Sequence, residues 1–157
     1  MKIERSVTIP VSIQKVWDKI IDLESTIRCM PGVKSLKPID DKSFHIRMDQ
    51  KISFIPVSFE AVLKVTNVQP PTHLEISADG TALGGLGKGF QRTEIDLLAV
   101  SENEVKVSYK GDINLSGRIG TFGQRVLGGK VDKMAEEFVK NFLNRLREDL
   151  GESVGGI

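Results

Sequence analysis

The 157-residue sequence holds one cysteine, Cys29, two histidines, one tryptophan and one tyrosine. A single cysteine excludes an internal disulfide and suits a reducing compartment. His45 and His73 are too few and too far apart for structural zinc spacing, and each falls in the polar phase of its segment, as surface histidines do. Charge of one sign is also missing. The 22 Lys and Arg balance 21 Asp and Glu, and a net +1 gives no field that recruits nucleic acid. No apolar run nears the ~20 residues of a transmembrane helix. The segment Met1-Lys2-Ile3-Glu4-Arg5 has no apolar core of a secretory signal, so a cytoplasmic location is expected.

Phosphate loops are absent too. Gly87-Lys88 is followed by Gly89 and Gly129-Lys130 by Val131, where a Walker loop needs Ser or Thr. Position 90 is Phe, which breaks GxGxxG. Cys29 lies beside the turn Met30-Pro31-Gly32 with no histidine near it in sequence. A catalytic thiolate needs a lowered pKa and a partner, so Cys29 reads as an inert side chain near a cavity mouth.

Glycine is what the chain has in quantity. Eleven of its 15 glycines fall in two clusters, at 80–89 and 111–129. Glycine in a strand removes side-chain volume and permits bends. The expectation is a thinned wall that encloses space, with plain turns and tight packing as the alternative.

Hydrophobic periodicity sets the order of elements. Residues 2–9 read as a strand ended by Pro10. Ile13, Val16, Trp17, Ile20 and Ile21 then repeat at helical spacing behind a capping Ser12. A second short helix is read over 23–29. From there to about residue 116 the period is two, with one wet and one buried face. Turns at 39–42, 69–72 and 101–103 join neighbours in a meander. The period then becomes 3.6: Ile119, Phe122, Val126, Val131, Met134, Phe138, Phe142 and Leu146 form one stripe, and Gly151 sits where a C-cap belongs.

A curved sheet with one apolar face must bury that face, and the C-terminal helix is the only element long enough to cover it. The predicted class is α+β: a helix-grip fold with a seven-stranded antiparallel sheet around one long helix. Residues 1–151 form this single ligand-binding domain and 152–157 a short flexible tail.

The inward phase has little that titrates. Gln50, Gln91, Thr93 and Tyr109 are its main polar members, whereas acid–base chemistry wants a carboxylate or histidine. A bulge in the first glycine cluster would turn Arg92 and Glu94 inward and reopen that chemistry. Trp17, Phe44, Met48, Phe59, Tyr109, Phe122, Met134 and Phe138 aim at the interior. Singly each suits a core; together they suit an apolar pocket with few polar handles. Residues 118–147 carry seven Lys or Arg against three Asp or Glu, either a solvated face or one that meets an anionic membrane or an acidic partner.

Val16-Trp17, Cys29-Met30-Pro31-Gly32, Gly85-x-Gly87-x-Gly89, the run Ser116-Gly117-Arg118-Ile119-Gly120-Thr121-Phe122-Gly123-Gln124-Arg125 and Met134-Ala135-Glu136-Glu137-Phe138 form an ordered set. It resembles the carbon monoxide dehydrogenase CoxG family, in the START-like, polyketide-cyclase-like (SRPBCC) superfamily of helix-grip proteins. The resemblance implies an accessory of aerobic CO dehydrogenase or a related molybdenum hydroxylase, linked to the membrane and to quinone binding. The expected site is non-catalytic, with no metal and no intrinsic cofactor beyond a bound quinone or other lipid. Its expected lining is Trp17, Met48, Phe59, Leu63, Phe122, Met134 and Phe138, with Gln91 or Tyr109 bonding a headgroup. The alternatives are a cyclase- or dehydratase-type enzyme using Arg92, Glu94 or Asp96, and a structural adaptor with a vestigial cavity.

Overall fold

The segments of period two fold into one antiparallel sheet. In the computed structural model, which describes residues 1–151, the strands are β1 (Lys2–Ile9), β2 (Val33–Asp40), β3 (Ser43–Ile52), β4 (Ile55–Gln69), β5 (His73–Ala82), β6 (Gly87–Ser101) and β7 (Glu104–Ser116). Helices α1 (Ile13–Ile21) and α2 (Leu23–Ile27) follow β1, and a 3-10 turn at Arg118–Phe122 leads into α3 (Gln124–Asp149). The sheet order β1-β7-β6-β5-β4-β3-β2 is a meander with β1 added beside β7. This is the predicted helix-grip arrangement. The predicted tail, 152–157, lies outside the described residues.

The core gathers at the ends of the molecule. At one end Val16, Trp17 and Ile20 of α1 pack with Ile9, Leu74, Leu97 and Val105 of the sheet and with Phe142 and Leu146 of α3. Ser12 Oγ caps α1 by accepting the Lys15 N–H at 3.4 Å. At the opposite strand ends Ile52, Val57 and Ala82 pack with Ile119 and Leu127. A third group, Ile27, Leu36, Phe44 and Ile46, joins α2 to β2 and β3.

Three expectations are corrected. β5 and β6 pair without a register shift, so no bulge sits in the first glycine cluster. Gly84 and Gly85 take the reversal instead, in a turn at φ +78° and +73°. The strand glycines do not thin the wall. A Cβ at Gly111 would stand 2.8 Å from Ile3 Cγ2, and one at Gly80 3.1 Å from Ala61 Cβ, so neighbours already fill that volume. The helical stripe also starts later than its periodicity suggests. Gly123, at φ +88°, separates the turn holding Ile119 and Phe122 from α3, and Val126 is left 38% exposed.

Candidate ligand site between sheet and helix

Between the two end clusters the concave face changes character. Met48 on β3, Ala61 on β4, Ala78 on β5, Ile113 on β7 and Met134 on α3 are half-buried and belong to no core cluster. Met48 shares its phase with Phe44 and Ile46, which are buried. Inward apolar side chains in a close-packed interior touch neighbours on all sides. These keep access to solvent, so the layers do not fill the space between them.

Two polar residues enter this space from the β1–β7 pair. Arg5 and Tyr109 are directly opposite in the register, in phase with Val7 and Val107. The Arg5 guanidinium reaches across to α3, with Nη2 3.4 Å from both the carboxylate and the carbonyl oxygen of Asp132. Arg5 Nε and Tyr109 Oη are each buried with no hydrogen-bond partner. Burial pushes the Tyr109 phenol above its ordinary pKa; Arg5 pulls the other way and Asp132 adds to the rise. Tyr109 is therefore a neutral donor at physiological pH. The other inward polar groups are satisfied within the protein: Gln91 Nε2 donates to Thr93 Oγ1 at 2.8 Å, and Gln50 Nε2 to the Pro31 carbonyl at 2.6 Å.

The expected lining residues divide. Met48, Met134 and Tyr109 border the open middle. Phe59 and Phe122 are half-buried against the cluster at the loop end, and Leu63 against the α2 cluster. Phe138 is half-buried and stacks on Phe142 at 6.5 Å between ring centroids. Trp17 is only 3% exposed, inside the α1 cluster. Cys29 is fully buried beside it rather than at a mouth. Its Sγ donates to the Ser25 carbonyl at 3.4 Å, and burial raises the thiol pKa against the pull of Arg145 and Lys19.

Arg5 is the residue the sequence reading missed, although strict alternation through Ile3, Val7 and Ile9 places it inward. A second grouping escaped because it is made across strands. On the outer face His73 Nδ1 lies 2.6 Å from Asp96 Oδ1 and Nε2 lies 3.6 Å from Glu75 Oε2. Ligand atoms of His73, Glu75 and Glu94 are all within 4.8 Å of one another. The Asp96 hydrogen bond raises the His73 pKa, and a hydrogen bond from Asn67 lowers that of Glu75. Arg92, Glu94 and Asp96 keep the outer phase, because β6 runs without a bulge through them.

Two open concavities lie apart from the sheet–helix space. One, of about 650 Å³, is a polar bowl lined by Lys19, Arg28, Asn141, Arg145 and Asp149, where Lys19 pairs with Asp149. The other, of about 490 Å³, surrounds Gly80, Gly89 and Phe90.

Comparison with known proteins agrees with this architecture. The profile of the carbon monoxide dehydrogenase CoxG family matches residues 6–147. A conserved protein from Geobacillus kaustophilus superposes with a TM-score of 0.85 at 23% identity, over 94% of this chain and 96% of that one. The Zhui aromatase/cyclase from Streptomyces sp. R1128 superposes at 0.71 with 12% identity, over 100% and 99%. A START superfamily protein from Mycobacterium smegmatis gives 0.63 with 12% identity, over 94% and 97%. At these identities the structures share the fold. No curated protein matches the chain. No helix among the described residues is long and apolar enough to cross a membrane.

Proposed function

The chain belongs to the carbon monoxide dehydrogenase CoxG family, in the START-like helix-grip superfamily, and from that premise we propose that it binds an isoprenoid quinone between the sheet and α3. One observation carries the reading: inward apolar residues stay half-buried around two buried donors, Arg5 Nε and Tyr109 Oη, that lack acceptors. A quinone offers a flexible apolar tail and carbonyl acceptors, which answer both needs. The tail lies along Met48, Phe59, Leu63, Met134 and Phe138, and a ring carbonyl accepts from Tyr109 and Arg5. Gln91 is the weaker headgroup donor, because it is already tied to Thr93.

The energetics suit exchange. Each buried isoprene unit contributes roughly 3–4 kcal/mol at about 0.8 kcal/mol per carbon. A bilayer offers the same tail nearly the same gain, so transfer sits near balance. The polar contacts then set the direction, at about 0.5–1.5 kcal/mol for a neutral hydrogen bond and 1.5–3 for a charged one. The protein is a non-catalytic carrier that serves an aerobic CO dehydrogenase or related molybdenum hydroxylase from the cytoplasmic side. Electron chemistry belongs to the quinone. Cyclase-type chemistry needs Arg92, Glu94 or Asp96 in the gap, and all three keep the outer phase.

Native mass spectrometry after incubation with quinone-loaded vesicles tests the binding. One quinone retained per chain is expected. A protein that neither retains nor takes up a quinone or any other lipid is not a carrier. Co-purification with a molybdenum hydroxylase tests the partner separately.

A further inference from the structure

The end of the molecule made by the β3–β4, β5–β6 and β7–α3 connections has an uneven composition. The three lie together: Leu83 N–H donates to the Ser58 carbonyl, Ile119 N–H to the Leu86 carbonyl, and Ile52, Val57, Ala82, Ile119 and Leu127 share one cluster beneath them. Residues 50–59, 80–91 and 113–131 contain no Asp or Glu and carry Lys51, Lys88, Arg118, Arg125 and Lys130. With +1 on the whole chain and +5 on these segments, the remainder carries −4. Lys51, Lys88, Arg118 and Arg125 are exposed, and none of the five enters an ion pair found among the described residues.

An aromatic projects from this basic end. Phe54 is 96% exposed at the tip of the β3–β4 hairpin, beside Ile55 at 47%. The hairpin turns on two residues, Ser53 and Phe54, at φ +49° and +70°. Such turns favour Asn or Gly, and a bulky residue held there costs of order 1–3 kcal/mol. A phenylalanine in that place is not explained by folding, since its ring packs on nothing that would repay the strain.

We infer that this end docks on an anionic lipid surface, with Phe54 entering the headgroup region and the five cations meeting lipid phosphates. A single ring projecting beyond a cationic rim suits a soft interface, where the ring is buried without a preformed pocket. The inference deepens the carrier reading by naming the surface from which a lipophilic ligand is exchanged, and it rests on that reading for its purpose only.

The experiment is co-sedimentation with phosphatidylglycerol-containing vesicles and with pure phosphatidylcholine vesicles. The wild type pellets with the first, salt sensitively, and not with the second. Phe54→Asn keeps the turn and folds at least as well, because Asn accepts positive φ; it lowers partitioning roughly tenfold. The triple change Lys51→Gln, Arg118→Gln, Arg125→Gln lowers it roughly fivefold per residue. Wild type that ignores anionic vesicles, or variants that bind them undiminished, overturn the inference. So does wild type that ignores vesicles but binds poly-glutamate through the same residues, which marks a protein-docking end. Quinone retention by Phe54→Asn, and vesicle binding by Tyr109→Phe, keep the two readings separable: either can fail alone.

Discussion

Arg5 and Tyr109 stand opposite one another on β1 and β7, and each holds a buried donor atom with no acceptor. A buried polar group left unpaired costs about 1–3 kcal/mol. Two of them side by side, in a sheet whose other inward amides are satisfied, mark where an acceptor from outside the chain gains most. Asp132 answers part of the Arg5 charge at 3.4 Å, but it is 65% exposed and sits at Nη2 rather than Nε.

Tyr109→Phe removes one orphaned donor and keeps the ring. The free protein is expected to be as stable as wild type or up to about 1–2 kcal/mol more so, since the unpaired hydroxyl is gone. Affinity for a short-chain quinone falls about tenfold, the worth of one hydrogen bond of ~1.4 kcal/mol. Urea denaturation and calorimetric titration read the two effects. Equal quinone affinity in both proteins removes Tyr109 from the headgroup site.

His73 predicts a pH dependence. Asp96 raises its folded-state pKa, so its contribution to stability is complete below the unfolded value of about 6.5 and is lost as pH rises through the folded one. Glu75 runs the opposite way: its lowered pKa contributes above the unfolded value and is lost as pH falls through the folded one. Asp96→Asn should bring the His73 titration, followed by NMR, back down. It should also destabilise the protein more in mild acid than at alkaline pH. An unmoved titration would show that the 2.6 Å contact between His73 and Asp96 does not govern that ring.

Much of this architecture is legible from periodicity. Seven strands, two short helices and the long C-terminal helix each follow from a period of two or 3.6, and Gly151 ends α3 as a C-cap, at φ +67°. What periodicity does not give is register. His73, Glu75, Glu94 and Asp96 come together because β5 and β6 pair His73 with Asp96 and Glu75 with Glu94. Arg5 was legible by phase but hidden by its charge, since a cation is expected on the wet face. It can lie inward because the gap leaves it partly solvated and gives it Asp132.

Cys29 tests the packing of the α1 end. Its side chain is fully buried and burial raises its pKa, so little thiolate exists at neutral pH and reagents cannot reach it. Ellman's reagent should leave the native protein unlabelled and find one thiol per chain in denaturant. Prompt labelling of native protein at neutral pH would mean that α1 and α2 open readily.

The glycines give the sharpest contrast, because sequence places Gly87 and Gly129 in equivalent-looking clusters while structure gives them opposite roles. Gly87 has φ +131°, and a Cβ there would stand 2.0 Å from the Ser116 carbonyl oxygen, a backbone atom that cannot swing aside. Gly129 is helical and exposed, and nothing lies within 4 Å of where its Cβ would be. Gly87→Ala should therefore cost about 2–5 kcal/mol, from strain and overpacking together. Gly129→Ala should gain about 0.5–1 kcal/mol by restricting the unfolded chain and favouring helix. Thermal unfolding separates them, since each kcal/mol moves Tm by roughly 2–4 °C in a chain of this size. A tolerated Gly87→Ala would mean that β6 and β7 can part at their loop end without cost. A Tm lowered by Gly129→Ala would mean that α3 needs its glycines to bend, which is the motion a ligand entering beneath the helix requires.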